Sequence, residues 1–244
     1  MSKLIHITTD IAEDLLTKGF HAINNDAFCI NATLNNDTMK FLKAYDNLEV
    51  DKYVLNDEGK SYRKRRYGSF TFDINKNTLI QNEHKTFFQS KEVNKAYGGI
   101  KRNFAPIEND ILNNQFLKEL IKADFTKFPK LDKNLSHKWF VGVQMFRIEA
   151  TRDFEGEPTP EGIHQDEHHF VVQHMINKQN VKGGVSTIYT LNKEKIISLT
   201  FNNFLDSCYV KDEKVMHDVS SIECKDINEI AIRDMLILDF ELMD

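Results

Sequence analysis

Apolar positions in the first half of the chain recur every three to four residues, the period of a helix with one buried face. Thr9-Asp10 caps a predicted helix carrying Ile11, Leu15 and Leu16, and Thr38–Leu48 spaces Phe41, Leu42, Tyr45 and Leu48 in the same way. Asn109–Phe125 repeats the pattern with Ile111, Leu112, Phe116, Leu117, Leu120 and Ile121. From Trp139 the character changes to short β-rich runs: Trp139–Ile148, Phe170–Ile176, Val185–Thr190, Ile196–Thr200, Val215–Val219 and Arg233–Phe240. Turns such as Asn180–Gly184 and Lys211–Lys214 separate them, and strands at this spacing predict a sandwich or barrel. The expected fold is mainly β with flanking helices. No repeat or linker divides the chain, so one domain over 1–244 is read, helix-rich over about 1–135 with a β core over about 136–244.

At 244 residues, 41% hydrophobic and 28% charged, the chain has enough apolar material for a full core. Its net charge of −5 argues against broad electrostatic binding to nucleic acid. No apolar run approaches the roughly 18 residues of a membrane-spanning helix. Cys29, Cys208 and Cys224 are widely spaced and form no CxxC, which excludes a zinc knuckle and a disulfide framework. The start, Met1-Ser2-Lys3-Leu4-Ile5-His6, lacks the apolar core of a signal peptide, so the cytoplasm is the expected setting. A small-molecule partner is expected, with neither nucleic acid nor membrane; a homodimer stays open.

The densest chemistry lies in Glu161-Gly162-Ile163-His164-Gln165-Asp166-Glu167-His168-His169-Phe170. On a strand, residues two apart share a face, so His164 and Asp166 would both reach one metal ion. His217, in the apolar run Val215–Val219, supplies a second imidazole if its strand returns beside the first. Two His and one carboxylate hold a non-haem Fe(II) while leaving three positions open. The plain alternative is a polar strand edge. Arg233 shares strand parity with Met235 and Ile237 and so points into the core, where a guanidinium needs a carboxylate partner. That partner is a dicarboxylate co-substrate, or, in a purely structural reading, Asp234 or Asp239.

Together, His164-x-Asp166, His217 and Arg233 resemble the iron- and 2-oxoglutarate-dependent dioxygenases, and more narrowly the bacterial hydroxylases of free amino acids of the isoleucine dioxygenase type. The resemblance extends to Phe87–Glu92, Gly98–Phe104, Tyr62-Arg63-Lys64-Arg65-Arg66-Tyr67, Arg147, His174, Gly183-Gly184 and Phe240. It implies a double-stranded β-helix, the cupin-like jelly-roll barrel. It also implies Fe(II) on His164, Asp166 and His217, and 2-oxoglutarate anchored by Arg233. The implied reaction uses O2, releases succinate and CO2, and hydroxylates an aliphatic C–H of a free L-amino acid or close derivative. Desaturation, cyclisation and nitrogen oxidation stay open with the same cofactors. From other classes, a zinc hydrolase on the same ligands and a non-catalytic cupin-like binding protein remain rivals.

The basic run Arg63–Arg66 reads as a solvated face or, through Arg63 and Arg65, as a grip on a substrate carboxylate. Arg147 and His168 are further candidates for substrate contact. His174 has the strand parity of His164 and reads as a core histidine facing the interior.

Overall fold

The computed structural model describes residues 3–55, 59–87, 99–130 and 137–243. The 88–98 part of the resemblance lies outside the described residues. Strands β1 (Ile5–Ile7), β2 (Phe20–Ile23), β3 (Phe28–Ile30), β4 (Glu49–Val50), β5 (Arg63–Asp73) and β6 (Thr78–Gln81) interleave with helices α1 (Ala12–Thr17) and α2 (Asn35–Lys43). Helices α3 (Asn109–Leu112) and α4 (Gln115–Phe125) precede β7 (Lys138–Ala150) and β8 (Phe170–Gln179). The chain ends with β9 (Val181–Gly183), β10 (Ser186–Tyr189), β11 (Lys195–Leu199), β12 (Ser207–Val210), β13 (Met216–Val219), β14 (Ile222–Cys224) and β15 (Ala231–Leu242).

The strands build a jelly roll. An eight-stranded antiparallel sheet runs β2-β12-β8-β15-β7-β5-β4, with β6 also on β5, and a three-stranded sheet runs β11-β10-β13. One face of the large sheet looks into a cavity also lined by β13. The other lies under the helices, where Phe41, Tyr45, Phe116, Leu120 and Ile121 pack against Val141, Val143, Leu236, Leu238 and Phe240. Both faces being covered, β7 and β15 read as nearly unbroken apolar runs, which is why they were legible in the sequence.

The division into helical and β parts is corrected by β5. This 11-residue strand lies in the supposedly helical region and pairs with β7 along its whole length, from Arg63↔Ile148 to Asp73↔Lys138. Four leading basic residues hide its period: Arg63 and Arg65 turn to the cavity, while Lys64 reaches Glu149 and Arg66 donates to the Asn47 carbonyl on the outer side. The helix read over Asn109–Phe125 is likewise broken in two. Asn114 starts α4 with its side chain accepting from the Leu117 N–H, a conventional N-cap.

His174 also differs from expectation. It faces the helix side of the sheet, where it is fully buried, with Nε2 3.0 Å from Asp124 and Nδ1 2.7 Å from the Ser207 hydroxyl. Tyr209 donates to the other Asp124 oxygen at 2.6 Å, so every polar atom of this buried cluster that joins α4 to the sheet is partnered. Strand parity with His164 fails because the chain between them is not one strand: Glu167 adopts φ 64°, and β8 begins only at Phe170.

Candidate metal centre and co-substrate pocket

His164 and Asp166 lie in the loop before β8, not on a regular strand, and what positions them is β13. His164 and His217 form an isolated antiparallel bridge, each N–H donating to the other's carbonyl at 3.0 Å. The two imidazole centroids are then 4.4 Å apart. Asp166 lies between the rings, with Oδ1 3.6 Å from His164 Nε2 and Oδ2 3.3 Å from His217 Nε2. One donor atom from each of the three falls within 4.8 Å of the others, the only such grouping of His, Cys, Asp and Glu among the described residues.

The donor set suits a divalent metal. His164 Nδ1 sits 2.8 Å from the Gly162 carbonyl, so the proton belongs on that nitrogen and Nε2 keeps its lone pair for a metal. Burial raises the Asp166 carboxyl, but the two imidazoles outweigh it and hold the group well below the usual range. Burial lowers His164, yet the Asp166 carboxylate, with Glu161 behind it, pushes the imidazole up to about 9 in the metal-free protein. The pocket therefore draws positive charge between these three side chains, and a metal ion supplies it in place of protons.

Asp212, in the turn ahead of β13, is a residue that the sequence did not single out. Its buried Oδ2 accepts from the N–H groups of both Asp166 and Glu167 at 2.8 Å, and its carbonyl accepts from the Gln165 side chain. It thus clamps the backbone that aims the Asp166 carboxylate. Asp212→Ala is expected to weaken Co(II) binding to the apoprotein about 10- to 100-fold, as loss of outer-shell support does. Asp212→Asn, which retains an acceptor, should stay near the wild type. Titration calorimetry that finds both variants equally weak, or both unchanged, removes the clamp.

The same cavity holds Arg233. It is 3% exposed, and its Nε and Nη2 find no hydrogen-bond partner among the described residues. Burial lowers its pKa to about 10. The Gly183-Gly184 turn makes room for it: a Cβ on Gly184, at φ +65°, would lie 3.2 Å from Arg233 Cδ. Neither structural partner considered for it is used: Asp234 belongs to Arg147, and Asp239 accepts from Gln144 at 2.6 Å. An orphaned guanidinium facing a cavity with a metal triad fits a carboxylate-bearing co-substrate.

Arg63 and Arg65 also line this cavity. Arg63 Nε donates to the buried Asp51 at 2.9 Å; Arg65 donates to Gln144 and lies 3.5 Å from the Phe104 ring centroid and 4.4 Å from that of Phe146. Burial, followed by the charge of Arg63, holds the Arg65 pKa well below its usual value. The expectation for Arg147 is corrected: alternation along β7 turns it away from the cavity that Phe146 and Ile148 line, into a two-pronged pair with Asp234 at 2.7 and 2.9 Å. His168 lines an adjoining groove with His164, His169 and Glu241, not the cavity itself.

Asp239 carries a pH dependence away from the triad. Gly142 leaves it space, and burial, with the Asp166 charge adding to it, pushes its carboxyl up to about 6 against His168, Gln144 and Arg65. A folded-state pKa above the ordinary 3.8 contributes stability that is full below the lower value and is lost as pH rises through the higher. Asp239→Asn should therefore remove a loss of about 3 kcal/mol between about pH 4 and pH 6. Denaturant titrations of metal-free protein that run parallel for variant and wild type across that window contradict this.

A jelly roll with a two-imidazole, one-carboxylate triad and an unpaired guanidinium in one cavity defines the class: a non-haem iron enzyme with a carboxylate co-substrate. The chain belongs to the 2OG-Fe dioxygenase family, whose model matches residues 42–239. It is similar to L-isoleucine-4-hydroxylase of Bacillus thuringiensis, 27% identical over 229 residues covering 92% of this chain and 91% of that one. It is also similar to 3(1)-hydroxy-L-isoleucine 4-dioxygenase of Pantoea ananatis, 24% identical over 82% of this chain and 78% of the other. The crystal structure of IDO from Bacillus thuringiensis superposes with a TM-score of 0.77 at 22% identity, covering 95% of this chain and 94% of its own, which shows the fold. The enzyme is thus an oxidoreductase of a family that uses Fe(II), 2-oxoglutarate and O2. No helix among the described residues is long and apolar enough to cross a membrane.

Proposed function

We propose that this protein hydroxylates an aliphatic C–H of a free L-amino acid or a close derivative, acting as a single domain in the cytoplasm. His164, Asp166 and His217 hold Fe(II), Arg233 takes the far carboxylate of 2-oxoglutarate, and Arg63 and Arg65 take the substrate carboxylate. When bound, iron and 2-oxoglutarate supply the O2 activation that sends one oxygen atom into the substrate and the other into succinate, with CO2 released. The chain's own share is placement. Arg63 is fixed by Asp51, and Arg65 by Gln144 and its flanking rings, so both present a charge whose orientation is set before substrate arrives. Phe146, Ile148, Val219, Met235 and Ile237 give the same cavity an apolar lining for an aliphatic side chain and keep bulk water from the reacting centre.

The observation that carries this reading is the pairing of an orphaned Arg233 with three further cavity-lining arginines, Arg63, Arg65 and Arg102. Arg233 suffices for the co-substrate and Asp51 offsets Arg63, so the positive wall that remains supports a second anion. The cavity, walled by arginines and by apolar side chains, suits a small anionic molecule with an aliphatic part. Named relatives acting on isoleucine and hydroxy-isoleucine support the amino-acid class. Succinate release should be stimulated by one or more free aliphatic L-amino acids in a panel, with the product gaining one oxygen in mass. No stimulation by any free amino acid rejects the reading, and a product lighter by two hydrogens turns it to desaturation.

A further inference from the structure

We propose that Glu161 binds the ammonium group of the substrate, so that the site takes α-amino acids and rejects the same molecules lacking the amino group; this rests on the amino-acid reading above.

Glu161 is held in place by its backbone. The Gly162 N–H closes a turn on the Thr159 carbonyl at 2.9 Å, with Gly162 at φ +75°. The Thr159 hydroxyl donates to the Val219 carbonyl at 3.0 Å and accepts from the Val219 N–H at 2.9 Å, while His164 is bridged to His217. Both ends of the short segment are thus tied to β13, and Glu161 lies between the ties. Its side chain is only 13% exposed and lines the cavity, yet it takes part in no hydrogen bond among the described residues. Its nearest charged group is His164 Nε2 at 3.7 Å.

That neighbour is the nitrogen a metal takes. Once it ligates, His164 is a neutral donor, and Glu161 is left as a largely buried carboxylate without a counter-charge, which costs several kcal/mol unless a cation arrives. The surroundings say which kind. The Tyr62 hydroxyl reaches Glu157 at 3.5 Å, laying the Glu157–Glu161 segment against the start of β5, where Arg63 is the next residue and lines the same cavity. Glu161 lines one cavity with Arg63 and Arg65, so a ligand carrying both an ammonium and a carboxylate meets both counter-charges there. An aliphatic side chain then has Phe146, Ile148, Val219 and Ile237 to lie against. The competing fate for Glu161, a fourth ligand to the metal, is an outcome of the test.

The test is calorimetric binding to anaerobic protein carrying Mn(II) and 2-oxoglutarate, with L-isoleucine, L-leucine and L-methionine, each against the corresponding acid without the amino group. For at least one pair the wild type should bind the amino acid about tenfold or more tightly than its partner. In Glu161→Gln that preference should fall to within about twofold, while Mn(II) and 2-oxoglutarate affinities stay unchanged. A variant that keeps the preference shows the ammonium is read elsewhere, and one that loses Mn(II) tenfold is missing a ligand; either overturns the proposal. A wild type that binds the acids as well as the amino acids also overturns it and leaves the hydroxylase reading standing. If the wild type binds none of the six and no free amino acid in the wider panel stimulates succinate release, the amino-acid reading itself fails, and this inference with it.

Discussion

Asp166→Ala is expected to abolish iron-dependent succinate release, a loss of at least about 10³-fold or about 4 kcal/mol of barrier. The carboxylate is the one anionic donor of the triad, and it touches both imidazoles, 3.6 Å from one and 3.3 Å from the other. Without it a ferrous ion keeps two neutral ligands and loses the charge that offsets its desolvation. The fold should survive. What joins the segments here is backbone: the His164–His217 bridge and the Asp166 and Glu167 N–H bonds to Asp212, all of which alanine retains. Circular dichroism and thermal melting of the metal-free variant should therefore resemble the wild type, while Fe(II) binding and turnover vanish together. A variant that still released succinate with iron would show that Asp166 is not a ligand. One that unfolded would leave the ligand assignment to Asp166→Asn, which keeps the shape but not the charge and should fail in the same way.

The triad was legible because its parts are chemically unusual and the spacing narrow. His164-x-Asp166 stands before an apolar run, and His217 lies within another. The reason they meet was not legible: neither His164 nor Asp166 is on a regular strand, and a backbone bridge between residues 164 and 217 leaves no trace in side-chain pattern. The same break misled the parity of His174, which was carried across a loop that reverses it. β7, β8 and β15 were readable as apolar runs because both faces of the large sheet are buried. β5 was not, since its cavity face carries charge: Arg63 and Arg65 occupy positions where a pattern reader looks for valine or isoleucine. Their shared parity was visible, but not that they stand two strands from Arg233, across β7, in the row Arg63↔Ile148↔Arg233. Arg147 fails as a substrate contact by the same arithmetic, one residue out of phase with Phe146 and Ile148. Asp212 and Asp51 act through bonds to residues 46 and 12 positions away, which no local pattern encodes.

Arg233→Met should raise the 2-oxoglutarate concentration needed for half-maximal turnover about 100-fold or more, close to 3 kcal/mol, the range for losing one partner of a buried charged pair. Metal affinity should change little, because Arg233 bonds to none of the three ligands. Stability separates this role from a structural one. A guanidinium that braced the fold would be hydrogen-bonded, and removing it would lower the melting temperature. Here Nε and Nη2 are buried without partners among the described residues and the pKa is lowered by burial alone, so the free protein bears the cost of holding a cation that none of those residues satisfies. Methionine fills similar space without that cost. The variant without ligands is accordingly expected to melt at or above the wild-type temperature, and 2-oxoglutarate, which should raise the melting temperature of the metal-loaded wild type, should scarcely shift that of the variant. Arg233→Lys should fall between the two, supplying the charge without the planar fork. A marked drop in melting temperature with an unchanged 2-oxoglutarate requirement would make Arg233 a brace and leave the carboxylate of the co-substrate without its assigned partner.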